Sequence, residues 1–432
     1  MRVFLKALLL AGVGLLVYGG YRHGLFELIA INPAAQFTYL GICVLYYVCG
    51  APSIAEGALT AAGGLALLFC PLAHPSDFAG EAMVRLGAFT GICGVIALSA
   101  RAIVSRDKKA LDTLGHSLIF IVLGMVLGAM LRAASAMCPY KFDLVLYSVD
   151  VRFGLPVSFV MGRLFRGWPL LGQCELVVYH ALPLAFAVLY AAHIRRAERG
   201  TTDVLAMMCL NAVAGYALYF LYPASGPSYA FGAAFPASPP VPAGLLFQAI
   251  PLDGPPNAMP SLHMAGAVLI WWNARHWKYG LAIALAFMLL TAPATLGIGE
   301  HYCLDLVVAF PYALAIQAAT TRAEHRLPAL ALGAVMTAGW FLSLRLAPRE
   351  LAAAPIWLMW CAAIFTIVIP LAGNRVLLVE RKRRDPELSS ESKSPTSTNN
   401  TNSTRAATGR GGGRWSRNQG TGVSSAKEGN RA

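Results

Sequence analysis

Charged side chains are scarce in this 432-residue chain. They make up 13% of the residues, whereas 57% are hydrophobic. Apolar stretches of roughly 13 to 25 residues recur along the sequence, each long enough to form or nearly form a membrane helix. The alternating pattern of a transmembrane β-barrel is absent. The sequence therefore predicts an all-α fold, a polytopic membrane helical bundle.

The chain also lacks cysteines at the paired spacing of metal sites. Its nine cysteines lie mostly inside apolar stretches, so we interpret them as small buried hydrophobic residues rather than as disulfides or metal ligands. We predict no metal and no cofactor. The net charge of +13 would suggest a nucleic-acid partner in a soluble protein. Here the basic residues concentrate in short turns between helices and in the C-terminal tail, which favours a membrane partner instead.

The hydropathy pattern predicts about twelve spans, with both termini in the cytoplasm because Lys and Arg cluster in alternate turns. Their approximate bounds are 4–20, 36–50, 53–72, 82–100, 112–134, 171–193, 203–222, 262–274, 279–297, 302–320, 328–346 and 354–379. The first span resembles a signal peptide but lacks a convincing cleavage site, so we expect it to remain. Residues 380–432 turn to Ser, Thr, Asn, Gly and Arg and are predicted to form a disordered basic tail.

Two fragments carry chemistry, Pro260-Ser261-Leu262-His263 and His301-Tyr302-Cys303-Leu304-Asp305. Each places a histidine at the start of an apolar helix, on the predicted non-cytoplasmic face. His301 and Asp305 are four residues apart, so a helix brings the carboxylate next to the imidazole and lets it fix the tautomer. A neutral imidazole can attack a phosphate ester, and His263 can protonate the leaving alkoxide. The His301–Asp305 pair is also consistent with a structural clamp.

Helix N-termini favour a bound phosphate, and positive charge could come from Lys141, Arg152, Arg163 or Arg166. Arginines that flank membrane spans often only extend toward the interface, so spacing singles out none of the four. The loop from Tyr222 to Pro260 contains ten prolines and one charged residue, Asp253. It is either a stiff cover over a site or an ordinary connection.

At these residues the chain resembles the type 2 phosphatidic acid phosphatase superfamily, and most closely its inositol phosphorylceramide synthase-like branch. The resemblance implies a six-helix core and assigns the general acid to His263, the nucleophile to His301 and the orienting acid to Asp305. Ser261 and Tyr302 within the two motifs, together with Arg152 and Lys141, are predicted to bind substrate. The corresponding domains are 1–106 (additional N-terminal helices), 107–322 (catalytic core), 323–379 (two C-terminal helices) and 380–432 (tail).

The sequence departs from the phosphatases of this superfamily at three places. It lacks their Lys-x6-Arg-Pro motif, carries Thr295 six residues before the nucleophile where they have arginine, and has Leu262 in place of glycine. These departures suit the synthase branch and leave the phosphate-binding cations unassigned. Asp150 and Gly154 resemble an Asp-x-x-x-Gly element of that branch.

Together these features predict a lipid phosphotransferase or phosphatase that forms a phosphohistidine. Its expected partners are a lipid phosphate or phospholipid donor and a lipid alcohol or water as acceptor. Two alternatives remain, a membrane transporter and a non-catalytic lipid-binding relative. The chain shows no matching halves of the kind many transporters have, and the intact His, His and Asp argue against the non-catalytic relative.

Overall fold

A computed structural model describes residues 32–69, 80–195, 202–240, 247–274 and 278–391, with side chains to residue 377. The first predicted span and the tail beyond Glu391 lie outside these residues. The described part of the chain is almost entirely helical, as predicted. The described residues before 140 form four α-helices: α1 (Pro33–Leu45), α2 (Ile54–Leu68), α3 (Glu81–Ala100) and α4 (Lys108–Met137). Short π-helical turns, Tyr46–Gly50 and Arg101–Ser105, extend α1 and α3.

The described residues between 143 and 319 form nine α-helices. They are α5 (Asp143–Asp150), α6 (Val157–Gly167), α7 (Pro169–His180), α8 (Leu182–Arg195), α9 (Val204–Leu221), α10 (Pro227–Phe231), α11 (Leu262–Asn273), α12 (Lys278–Ile298) and α13 (Cys303–Ala319). Three more follow: α14 (Arg326–Leu346), α15 (Pro348–Ala353) and α16 (Ile356–Glu391). One pair of short strands, β1 (Tyr140–Lys141) and β2 (Ile250–Pro251), is antiparallel.

Six of these helices are long and apolar enough to cross a membrane, which supports a multi-pass membrane protein. Two helix pairs reach that length only when each pair is counted as one bent span, for up to eight in total. The prediction of twelve spans around a six-helix core is therefore not confirmed. One bent pair, α5 with the following 3-10 turn and α6, lies between residues 132 and 170, which the sequence predicts to be a connection.

The two bends have local causes. Between α5 and α6, which meet at 85°, Gly154 adopts φ +100° and Pro156 follows two residues later; neither residue continues a helix. Between α7 and α8 the angle is 53°, and Pro183 stands in the first turn of α8, where its missing N–H costs no hydrogen bond. Both bends bring a helix end toward the centre of the bundle.

Helix α13 is the centre of the bundle. Nearly every residue from Leu304 to Ala318 is buried, and α13 packs against α5, α9, α11 and α14. A helix that is apolar on all sides is buried on all sides, in agreement with its sequence. The N-termini of α11 and α13 lie side by side, because the backbone N–H of Ser261 donates to the Asp305 carbonyl at 3.2 Å. The two sequence motifs therefore meet at one end of the bundle.

The proline-rich loop packs over this end. The Ser228 hydroxyl donates to the Gly299 carbonyl at 2.9 Å, and the ring of Phe235 lies against Gly299. The strand pair holds the later part of the loop against the connection between α4 and α5. Of the two alternatives raised by the sequence, the described residues of the loop favour a cover.

Candidate active site

Ser261 begins α11 and is completely buried. Its hydroxyl accepts the backbone N–H of Met264 at 3.2 Å, as an N-cap serine does. This bond places His263 in the first turn of the helix. The structure thus gives Ser261 a role in positioning His263, and a direct contact of its hydroxyl with substrate stays a prediction.

His263 faces two aromatic rings. It stacks on Tyr179 of α7 with ring centroids 4.0 Å apart and an interplanar angle of 20°. On the other side, its ring centroid is 6.1 Å from that of His301. The stack limits rotation of the His263 side chain, and a single phosphate group placed between the histidines can contact both.

His301 lies in the turn between α12 and α13 and is 1% exposed. Its Nδ1 is 2.8 Å from the carbonyl oxygen of Ala258. A carbonyl only accepts, so Nδ1 carries the proton and Nε2 has the free lone pair. Nε2 is buried and has no hydrogen-bond partner among the residues that the structure describes. The reactive nitrogen of a neutral imidazole is therefore the one left without a partner.

Asp305 makes no hydrogen bond to the His301 imidazole in the structure, so its role as orienting acid stays a prediction. Its Oδ2 is 3.7 Å from Nδ1 of His301, too far for a hydrogen bond. The same oxygen accepts the backbone N–H of Tyr302 at 2.7 Å. Asp305 is the third residue of α13, where a carboxylate is within reach of the unpaired N–H at the helix start. The carboxylate caps the start of α13. The hydrogen bond to the Ala258 carbonyl orients the imidazole of His301.

Tyr302 is also fully buried. Its hydroxyl donates to Oδ1 of Asp143 at 3.1 Å, and Asp143 in addition accepts the backbone N–H groups of Ser225 and Gly226. Asp143 thereby links the turn that contains His301 to the proline-rich loop from Tyr222 to Pro260, called the cover loop below. The predicted contact of Tyr302 with substrate stays a prediction.

Two side chains of the bent pair α5–α6 also hold the turn that contains His301. Asp150 accepts the backbone N–H of Leu304 at 3.0 Å, and the Ser158 hydroxyl donates to the carbonyl of His301 at 2.9 Å. Among these residues the sequence singled out Asp150 alone. Asp143 could have been found as an ionisable residue beside a membrane span, whereas Ser158 has no signal in the sequence.

The four basic candidates bond backbone carbonyls. Lys141 is completely buried and donates to the carbonyls of Cys138 and Leu252; burial lowers its pKa. Arg152 donates to the carbonyl of Ala352. Arg163 and Arg166 donate to the carbonyls of Pro236 and Phe235 in the cover loop. None of these bonds involves either site histidine, so phosphate binding by Lys141 or Arg152 stays a prediction.

Glu300 is a site residue that the sequence pattern did not single out. Its Oε2 accepts the side-chain amide N–H of Asn257 at 3.0 Å. Together with the bond between His301 and the Ala258 carbonyl, this contact holds residues 257 and 258 beside residues 300 and 301. Burial raises the pKa of Glu300, and Asn257, the charge of His301 and the Tyr229 hydroxyl partly offset this. Its position directly before the histidine was the available signal.

Burial lowers the pKa of His301 to about 4, although the charge of Glu300 and the hydrogen bond with Ala258 act in the opposite direction. The imidazole is therefore neutral at physiological pH. Among the described residues, no group of three or more His, Cys, Asp or Glu side chains could hold a metal ion. The arrangement can supply a nucleophile, a nearby proton donor and helix N-termini that favour an anion.

Fold and site together indicate a multi-pass helical membrane protein in which a buried histidine, His301, lies close to a half-buried one, His263. The PAP2 superfamily model matches residues 144–319, a segment that includes both motifs and the bent pair except Asp143. This match supports the type 2 phosphatidic acid phosphatase superfamily, whose members are typically phosphatases or phosphotransferases, and so supports an enzyme. No curated protein and no solved structure matches the chain.

Proposed function

We propose that this protein cleaves a lipid phosphate ester through a phosphohistidine at His301 and transfers the phosphoryl or phospho-headgroup unit to an alcohol or to water. The observation that carries the proposal is Nε2 of His301, which has no hydrogen-bond partner in the described part of the chain. The bond from Nδ1 to Ala258 leaves this nitrogen as the nucleophile. His263, whose ring centroid is 6.1 Å from that of His301, is the proton donor.

In the first step Nε2 of His301 attacks phosphorus, the bond from phosphorus to the leaving oxygen breaks, and His263 protonates that oxygen. In the second step the acceptor hydroxyl attacks the same phosphorus. Its proton passes to His263 and the P–N bond breaks, which restores both histidines. Asp305, 3.7 Å from Nδ1, stabilises the positive charge that phosphorylation places on the imidazole.

We further propose that the enzyme belongs with the inositol phosphorylceramide synthase-like branch, with its site on the non-cytoplasmic face and both termini in the cytoplasm. Thr295 in the position of the phosphatases' arginine supports this placement. Its hydroxyl bonds backbone carbonyls of its own helix, so it offers no cation for phosphate. The cover loop over the site supports transfer over hydrolysis, because excluding water favours an alcohol acceptor.

The test uses the purified full-length protein and a lipid phosphate labelled with ³²P. We expect label on the protein that is acid-labile, stable to base and absent in His301→Ala. His116→Ala is the matched control, because His116 contacts Tyr190 and belongs to neither motif. Turnover that survives His301→Ala would overturn the mechanism, and free phosphate without a transfer product would select the phosphatase.

A further inference from the structure

Helices α15 and α16 lie outside the segment that the family model matches, yet they contact the bent pair α5–α6 at its corner. The corner is the 3-10 turn after α5 together with the glycine that ends it, residues 151–154. The side chain of Arg152 donates to the Ala352 carbonyl of α15. The indole N–H of Trp360 in α16 donates to the Phe153 carbonyl at 3.2 Å. Two hydrogen bonds therefore join the C-terminal helices to the corner.

Apolar packing at the corner adds to these bonds. The rings of Phe153 and Trp360 pack edge to face, with centroids 5.1 Å apart and planes at 67°. Gly154 lies so close to the first turn of α16 that a Cβ on it would be 2.8 Å from Cδ1 of Ile356. Carbonyl groups at a helix end have no partner within the helix, and the Phe153 carbonyl accepts its hydrogen bond from Trp360 instead. The start of α16 therefore fixes the position of the corner.

The two arms of the bent pair hold the turn that contains His301. Asp150 on one arm accepts the backbone N–H of Leu304 at 3.0 Å. Ser158 on the other arm donates to the His301 carbonyl at 2.9 Å. The corner lies between Asp150 and Ser158 in the chain, so a shift of the corner moves both bonds together.

A hydrophobic cluster links the same parts of the molecule. Met359 and Ala363 of α16 are both buried. They belong to the cluster that also contains Phe153 of the corner and Leu304 of the turn after His301. Protein interiors are close-packed, so such a cluster transmits a displacement and does not absorb it.

We propose that α15 and the first turns of α16 position the catalytic turn, with Trp360 as the main positioning residue: they fix the corner of the bent pair, and the corner fixes His301. This inference rests on the proposed function, in which His301 is the nucleophile. Trp360 acts through the bent pair and not by contact with the substrate. The effect is large enough to measure, because a misplacement of about 1 Å can reduce the rate of a reaction about a hundredfold.

The decisive variant is Trp360→Phe, assayed in the full-length protein in lipid nanodiscs. Phenylalanine keeps an aromatic ring against Phe153 and removes the N–H donor. Trp340→Phe is the matched control. The indole N–H of Trp340 in α14 donates to the Thr366 hydroxyl of α16 at 2.9 Å, so this variant loses an equivalent bond to α16 that does not involve the bent pair.

The measurement is the single-turnover rate at which ³²P passes from a lipid to the protein, at several concentrations of labelled phosphatidic acid or phosphatidylinositol. Loss of one hydrogen bond corresponds to a roughly two- to tenfold effect. We expect Trp360→Phe to lower the rate at saturating donor by about this factor, with the half-saturating concentration and Tm close to those of Trp340→Phe. The control should keep the wild-type rate. An equal loss of rate in both variants, a change confined to the half-saturating concentration, or no change would overturn the positioning role.

A double-variant cycle tests the route through the bent pair. Ser158→Ala removes the bond to the His301 carbonyl. If Trp360 acts through this bond, the loss of rate in the double variant is smaller than the product of the two single losses. Losses that multiply would show that Trp360 acts independently of the bent pair and would refute this inference alone. Absence of label on the wild type from either donor would refute the proposed function itself.

Discussion

Lowering the pH is the most direct perturbation of the proposed nucleophile. An exposed histidine has a pKa of about 6.5 and at pH 5 is neutral in only about 3% of molecules. Burial lowers the pKa of His301 to about 4, so about 90% of molecules keep the neutral, nucleophilic imidazole at pH 5. At pH 5 the fraction of molecules with a neutral His301 is therefore roughly thirty times larger for the buried imidazole than for an exposed one.

The assay is kcat/KM against pH from 3.5 to 8, which reports the pKa values of the free enzyme. A lipid phosphodiester is the substrate of choice, because its charge does not change in this range. We expect the acid limb to fall between about pH 4 and 5. A limb near pH 6.5 would show that the imidazole is solvated and would refute the reasoning from burial.

The same shift makes the folded protein sensitive to acid. A folded-state pKa below the unfolded value means that the unfolded chain binds the proton first, so the stability contribution is lost as pH falls from about 6.5 to about 4. The loss amounts to roughly 3 kcal/mol. His301→Gln should remove this part of the pH dependence, which thermal unfolding of the two proteins from pH 8 to 4 can measure.

Two further substitutions test how the site is held. Asp305→Asn keeps an acceptor for the Tyr302 N–H, so we expect a nearly unchanged Tm. Because the negative charge near His301 is gone, we expect kcat to fall at least about tenfold. Equal activity of the variant and the wild type would contradict this. Gly226 has φ +99°, and Gly226→Ala would place its Cβ 2.5 Å from the Glu300 carbonyl oxygen. It should lower Tm by several degrees and reduce activity, whereas Gly232→Ala, with φ +49° and open space around it, should do so far less.

The hydropathy pattern correctly predicted apolar helices, because burial in lipid or in the bundle requires apolar residues over a helix length. Six of the described helices, or up to eight with the bent pairs, could cross a membrane. The pattern failed between residues 132 and 170. There α5 and α6 are short, bent and partly polar, and Asp143 and Asp150 interrupt the apolar signal. These acids are buried because backbone N–H groups of other segments satisfy them, and no local property of the sequence shows those partners.

The orienting role of Asp305 stays a prediction, and its hydrogen bonds could not be read from the sequence for a different reason. The i+4 spacing correctly places its carboxylate near His301, but spacing does not show which of two nearby N–H groups it accepts. The backbone N–H of Tyr302 is closer to the Asp305 carboxylate than Nδ1 of His301 is, so the carboxylate accepts the N–H of Tyr302. The Ala258 carbonyl that replaces Asp305 is invisible in a sequence, because every residue has such a carbonyl.

The sequence by itself determined the class of the protein and the position of both histidines at helix starts, since hydropathy and helix capping are properties of neighbouring residues. The tertiary structure alone decided which atoms meet. Ala258 and His301 are 43 residues apart, and Asp143 and Tyr302 are 159 apart. Such contacts depend on how α5, α11 and α13 pack, and that packing sets which nitrogen of His301 is free to react.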